Sequence, residues 1–187
     1  MMATTHALVG VTLAAAFVPL APESASLLAL AGGVGGTAPD VDTVVGTHRK
    51  TLHFPALGWV VALPAVAIAV LAPGPATAAA ACFLLAAAVH SLSDVLEGGR
   101  ELRPWERTTD RAVYCHLCRR WLTARRLVRY DGSPEDLLLT AVFAVPPLLA
   151  FGGSVGAGCL ALVALGAGYT LVRKRVPALV EFANTGR

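Results

Sequence analysis

The sequence predicts an all-α integral membrane protein, a polytopic bundle of about six helices, and three observations carry that expectation. Apolar residues make up 56% of the chain and charged residues 14%, against roughly 45–50% and about 25% in ordinary globular domains. No charged side chain occurs between Lys50 and Asp94, and none between Asp136 and Arg173. Proline and glycine, which terminate helices, separate the apolar runs. Hydrocarbon offers backbone amides no water, so such runs fold as helices.

The first helix is expected over about 7–20, ended by Pro19 and Pro22, and the second over about 24–38, ended by Pro39. Each has about 15 residues, short of the roughly 20 that cross the hydrocarbon core. They are expected either to span or to form a helical hairpin, with Gly32, Gly33, Gly35 and Gly36 allowing close packing. The third helix is placed at 56–72 before Pro73-Gly74-Pro75, and the fourth at 76–96 before Gly98-Gly99. The fifth covers 134–151. Ser133 can cap it, Pro134 suits its first position, and Glu135 and Asp136 favour the positive end of its dipole. The sixth covers 153–172. The N-terminus lacks the basic stretch of a signal peptide, because the first basic residue is Arg49, and it is read as part of the folded protein.

Six crossings put the N-terminus, the 39–55 loop, the 97–133 loop and the C-terminal tail on one side. All fifteen Lys and Arg residues fall there: Arg49, Lys50, the arginines from Arg100 to Arg129, then Arg173, Lys174, Arg175 and Arg187. The positive-inside rule makes that side cytoplasmic, so a multi-pass cell-membrane protein with both termini inside is expected. The chain reads as one domain, 1–187, with 97–133 an Arg-rich interfacial segment. Val113, Leu117, Trp121 and Val128 lie near one helical stripe, so an amphipathic helix on the anionic leaflet is expected there, with membrane lipids as partners. No nucleic-acid reading module accompanies the basic residues, and nucleic acid is not an expected partner. Cys115-His116-Leu117-Cys118 lacks the further ligand that a closed zinc clip needs, and is read as two buried thiols on that helix.

The same side collects candidate ligands. His90 and Asp94, at i and i+4, share one helix face and can hold one metal ion, or else form a buried hydrogen-bonded pair between helices. His6 opens the first helix, Asp40 and Asp42 follow the second, and His48 and His53 precede the third. Taken singly, the two aspartates read as a solvated turn, His48 as a surface histidine beside Arg49 and Lys50, and His6 as an interfacial residue at a helix start. Together, separate segments deliver imidazole and carboxylate groups to one face, a mixture that suits zinc, manganese or iron in open hydrolytic sites.

The ordered motifs Thr5-His6-Ala7-Leu8-Val9-Gly10, Pro39-Asp40-Val41-Asp42, His48-Arg49-Lys50-Thr51-Leu52-His53 and His90-Ser91-Leu92-Ser93-Asp94 resemble the YdjM-like family of membrane-bound metal-dependent hydrolases. The resemblance extends through Gly98-Gly99 and Arg103-Pro104-Trp105 and covers about residues 2–140. That family is similar in turn to zinc-dependent phospholipase C and the fungal zinc nucleases, which use His-x-x-x-Asp pairs on helices. The resemblance implies His6, Asp40, His53, His90 and Asp94 as metal ligands or their supports, with Asp42 and His48 as second choices. One departure is Phe54, where the family carries a hydroxyl after the histidine.

Two functions follow as expectations. The first is a metal-dependent hydrolase, with zinc the expected ion and manganese or iron as alternatives, acting on phosphoesters such as a phospholipid head group or on lipid-linked substrates, with Asp42 as general base and Arg49, Arg100 or Arg103 neutralising the phosphate. The alternative is a transporter or scaffold with a structural polar cluster, which would place polar groups near the bilayer midplane.

Overall fold

The computed structural model describes residues 1–185; Arg187, counted above among the basic residues, lies outside them. The chain is mostly helical. Helix α1 (Ala3–Ala15) is followed by two short 3-10 turns and α2 (Ala25–Thr37). A 3-10 turn (Ala38–Val41) leads into the one-turn α3 (Asp42–Val45), then α4 (Leu57–Leu71) and α5 (Pro75–Ser93), which tightens into a 3-10 turn at Asp94–Leu96. Strands β1 (Arg111–Cys115) and β2 (Arg120–Thr123) precede α6 (Pro134–Ala150), α7 (Gly153–Val172) and α8 (Val176–Thr185). The six expected apolar helices are α1, α2, α4, α5, α6 and α7. The Ser133 hydroxyl accepts the Asp136 N–H at the start of α6.

Helix α1 is central and packs on α2, α5, α6 and α7. At 13 residues it is about 20 Å long. It runs antiparallel to α2 at a separation only glycine permits: a Cβ on Gly10 would lie 1.9 Å from the Gly32 carbonyl oxygen, and one on Gly36 2.2 Å from that of His6. Gly35 gives the same freedom against the Phe83 carbonyl in α5, whereas a Cβ on Gly33 would meet the Val11 side chain at 3.3 Å and the Ala7 carbonyl oxygen at 4.0 Å. Leu8, Val11 and Ala14 of α1, Leu28 of α2, Ala78 and Cys82 of α5, and Ala144 of α6 form the core.

Two helices, Pro75–Leu96 and Gly153–Phe182, are long and apolar enough to cross a membrane. The outer surface of the bundle is rich in exposed apolar side chains, including Val60 and Leu71 of α4, Leu149 of α6, and Leu165 and Leu171 of α7.

The expected amphipathic helix over 111–130 is corrected to a β-hairpin. Arg111 pairs with Thr123, Tyr114 with Trp121 and Cys115 with Arg120, with a bulge between Arg111 and Tyr114. Val113, Tyr114, Trp121 and Thr123 favour a pleated surface, and Arg119 and Arg126 adopt left-handed φ values of 52° and 56°, which interrupt a helix. External partners complete the choice. Tyr114 donates its N–H to the Arg49 carbonyl, while the N–H groups of Arg125, Arg126 and Val128 bond the carbonyls of Val95, Glu97 and Leu96. The cysteine expectation changes with it. Cys115 is buried in β1, but Cys118 is exposed at the turn, and the His116 Nε2–H is taken by the Lys50 carbonyl at 2.6 Å.

Candidate metal centre

The ends of the helices that carry the motifs meet on one side of the bundle. The close approach of α1 and α2 at Gly36 sets the first support. The Gly36 carbonyl accepts the Nδ1–H of His90 from α5 at 2.6 Å. His53, in the loop before α4, donates its Nδ1–H to Asp42 at 2.9 Å. An ionised carboxylate and a carbonyl can only accept, so in the neutral form of each ring Nε2 is the unprotonated nitrogen. These two Nε2 atoms face each other at 3.1 Å. His53, His90 and Asp94 are almost wholly buried.

Asp94 Oδ2 lies 3.2 Å from the His53 Nε2 and 3.7 Å from that of His90. Asp40 Oδ1 lies 3.7 Å and 3.4 Å from the same two atoms. A tetrahedral ion with bonds of about 2.0–2.1 Å needs ligand atoms about 3.4 Å apart, and all these separations bracket that value. His6, His90 and Asp94 form one group whose ligand atoms lie within 4.8 Å of one another, and Asp40, His48 and His53 form a second. The two groups interlock through the contacts just given, so the His/Asp cluster can hold a metal ion. His6 stacks on His90 with ring centroids 3.6 Å apart. Its Nε2 is 3.2 Å from Asp94 Oδ1, and its buried Nδ1 has no hydrogen-bond partner among the described residues.

Asp42 stands behind the centre. It is fully buried and receives His53 and His48, the latter through Nδ1 at 3.1 Å, together with the N–H groups of Lys50 and Leu52. The free carboxylate expected there is therefore already occupied by four donors. Burial pushes its pKa up, but His53, the Leu52 N–H and His48 outweigh burial and leave it below the ordinary value. Burial likewise opposes ionisation of Asp40, and the His90 imidazole beside it outweighs burial and brings its carboxyl down to about 2. His48 is half-buried. Burial, then the adjacent Arg49 charge, lower its pKa more than Asp40 and Asp42 raise it.

Arg49 enters from the same loop with a left-handed φ of 62°. Its guanidinium pairs with Glu97, bonds the Gly98 carbonyl at 3.0 Å, and holds Nε 3.5 Å from Asp94 Oδ2. The Met1 amine also lies against Glu97. A cavity of about 690 Å³ opens on Asp40, His48, Arg49 and Asp94 and continues past Arg100, Glu101 and Leu102 to Leu165, Tyr169, Arg173 and Val176. Arg100 thus lines the cleft, its guanidinium resting 4.9 Å from the Trp121 ring. Arg103 does not: it pairs with Glu181 at 2.7 Å. Phe54 stacks on His116 at 4.9 Å.

Two groups escaped the sequence reading. Glu97 is buried beside Asp94, and its signal was its spacing from His90 and Asp94, which continues their helical face. The second group is Asp131, which accepts from Tyr169 at 2.5 Å and from Arg173 at 2.8 Å. It joins a loop to the end of α7, and no local spacing announces it. No protein-family model matches the chain, and no curated protein or solved structure matches it.

Proposed function

We propose that this chain is a multi-pass membrane protein with a metal-dependent, phosphoester-hydrolysing centre at its cytoplasmic face. The observation that carries the metal is the approach of the His53 and His90 Nε2 atoms to 3.1 Å. With each Nδ1–H already donated, both nitrogens present lone pairs when the rings are neutral. Facing lone pairs repel unless a proton or a metal ion lies between them, and Asp40 and Asp94 add negative charge that favours a cation there. Imidazole and carboxylate at tetrahedral spacing suit zinc, and manganese and iron accept the same donors. The ordered motifs resembling the YdjM-like hydrolases point the same way.

His53, His90, Asp40 and Asp94 would hold the ion, with His6 supporting Asp94 and His90. When bound, such an ion supplies Lewis acidity toward a phosphoryl oxygen and lowers the pKa of water toward about 7. The chain supplies the rest. His48 borders the cleft, and its Nδ1 is engaged by Asp42, which leaves Nε2 to take a proton from water. The water oxygen bonds to phosphorus, the ester P–O bond breaks, and the proton held by His48 is available to the departing alkoxide. Arg49 stands beside Asp94 to neutralise charge on the phosphate. Asp42 then serves as the group that fixes the tautomers of His53 and His48, in place of the base expected from sequence.

Membrane topology rests on the charge asymmetry of the sequence and on the exposed apolar faces of α4, α6 and α7. Helices α1 and α2, at 13 residues each, fit a hairpin packed against α5, α6 and α7. A transporter would carry its polar groups near mid-helix; here the His/Asp cluster sits at helix ends.

Elemental analysis of the purified protein tests the reading. One divalent ion per chain is expected, with loss on His90→Ala or Asp94→Ala. Folded protein that stays metal-free after zinc supplementation rejects it.

A further inference from the structure

Beyond the metal ligands, the cleft carries three buried polar groups that the hydrolytic reading does not use in full. Arg173 is 4% exposed. Its Nε and Nη2 donate to the two Asp131 oxygens at 2.8 Å, and Nη2 also reaches the Leu102 carbonyl at 3.2 Å. Its Nη1 has no hydrogen-bond partner among the described residues. Arg49, 6% exposed, likewise has an Nε without a hydrogen-bond partner among the described residues, although it stands 3.5 Å from Asp94 Oδ2. Glu101, on the same cleft wall, has two buried carboxylate oxygens, neither with a hydrogen-bond partner among the described residues.

Buried N–H donors and carboxylate oxygens without partners are costly in an isolated protein. Together they describe the polar part of a ligand. Two guanidinium N–H groups call for anionic oxygens, and the planar fork of arginine suits phosphate. Glu101 would repel a ligand that carried phosphate alone and would pair with an ammonium group. A zwitterion with a phosphodiester and a primary ammonium satisfies all three.

The rest of the wall is apolar. Leu165 and Val176 line the cleft, and Leu165 is also 65% exposed on the outer face of α7. Helix α7 belongs to a segment long and apolar enough to cross a membrane, with little of it buried in the bundle. The apolar wall is therefore continuous with a surface suited to lipid, and a chain lying there need not leave an apolar environment.

We infer that the cleft binds a zwitterionic phospholipid, with its phosphodiester between Arg49 and Arg173, its ammonium on Glu101, and its acyl chain along Leu165 and Val176. This names the substrate class of the hydrolytic site and rests on that reading only for the chemistry at the metal end.

The test is a calorimetric titration of the full chain in nanodiscs of neutral lipid, with empty discs subtracted. The probes are a lysophosphatidylethanolamine, its chainless counterpart glycerophosphoethanolamine, and dodecyl phosphate, which lacks the ammonium. The wild type should bind the lysolipid about tenfold or more tighter than glycerophosphoethanolamine, since burying even a few methylenes suffices for that factor. It should also prefer the lysolipid to dodecyl phosphate. Glu101→Gln removes a charge that no partner holds, so the fold should tolerate it, and it should erase the preference over dodecyl phosphate. Leu165→Trp should erase the chain effect and leave the chainless probe unchanged. Equal binding of chained and chainless probes, an unchanged headgroup preference in Glu101→Gln, or no binding at all overturns the inference. The same titrations on chelator-treated protein separate the two readings: absence of metal from the untreated protein rejects the hydrolase, while lipid preferences that persist after chelation uphold the cleft assignment.

Discussion

The imidazoles of His53 and His90 face each other through Nε2 at 3.1 Å, and each is held from behind by a different kind of acceptor. His53 leans on the Asp42 carboxylate and His90 on the Gly36 main-chain carbonyl. One support is a charge that titrates and can be replaced by an amide. The other is backbone and moves only if helices move. The two supports therefore fail in different ways, and each can be tested alone.

Asp42→Asn keeps the shape of the side chain but weakens the acceptor that fixes the His53 and His48 tautomers. Changes to groups that orient metal-bound histidines typically cost about 10- to 100-fold in metal affinity. Asp42→Asn is expected to fall in that range, measured by competition with a chromophoric chelator, whereas Asp94→Ala should lose the ion outright. Wild-type affinity in Asp42→Asn would remove Asp42 from the site.

The pH dependence of this support has a definite sign. Burial raises the Asp42 pKa, but His53, the Leu52 N–H and His48 outweigh it, so the folded value is depressed. A depressed carboxyl contributes its stabilisation fully above the unfolded value of about 3.9 and loses it as pH falls through the lower folded value. In chelator-treated protein the melting-temperature margin of wild type over Asp42→Asn should persist at about pH 5 and above and shrink below about pH 4. A margin that widens in acid contradicts the assignment.

The segments that could be read from sequence are those where one physical rule dominates. Uncharged runs between proline and glycine placed the six apolar helices within a few residues, because a helix is the only local way to satisfy their backbones. His90 and Asp94 were legible because i, i+4 spacing fixes a shared face. The hairpin at Arg111–Thr123 was not, because its pattern also fits a helical stripe and the deciding partners, the carbonyls of Arg49 and of residues 95–97, are distant in sequence. The role of Asp42 was hidden for the same reason. Whether a carboxylate faces an ion or stands behind a histidine depends on how the 42–53 loop folds back, and spacing does not encode that.

The backbone support is tested at Gly36. A Cβ there would sit 2.2 Å from the His6 carbonyl oxygen, and since both partners are backbone, neither can rotate away. Gly36→Ala is expected to force α1 and α2 apart at a cost of about 1–3 kcal/mol or more. It should also shift the carbonyl that holds His90, lowering metal affinity together with thermal stability. Gly168→Ala in α7 is the control, because nothing lies within 4 Å of its added methyl. That change should be neutral or stabilising by about 0.5–1 kcal/mol. Equal effects of the two substitutions would show that helix spacing does not set the site.

The orientation of the bundle can be read from one natural side chain. Cys118 is exposed at the hairpin turn, while Cys82, Cys115 and Cys159 are buried. The hairpin bonds to Arg49 and to residues 95–97, so Cys118 shares a side with the His/Asp cluster. If basic residues hold that side in the cytoplasm, a membrane-impermeant maleimide should label the protein in inside-out vesicles and not in intact cells. Cys118→Ser should abolish the label. Labelling of intact cells at Cys118 would invert the topology and place the site and its substrate outside. Equal labelling of both preparations would mean that the chain lies on the membrane without a fixed crossing.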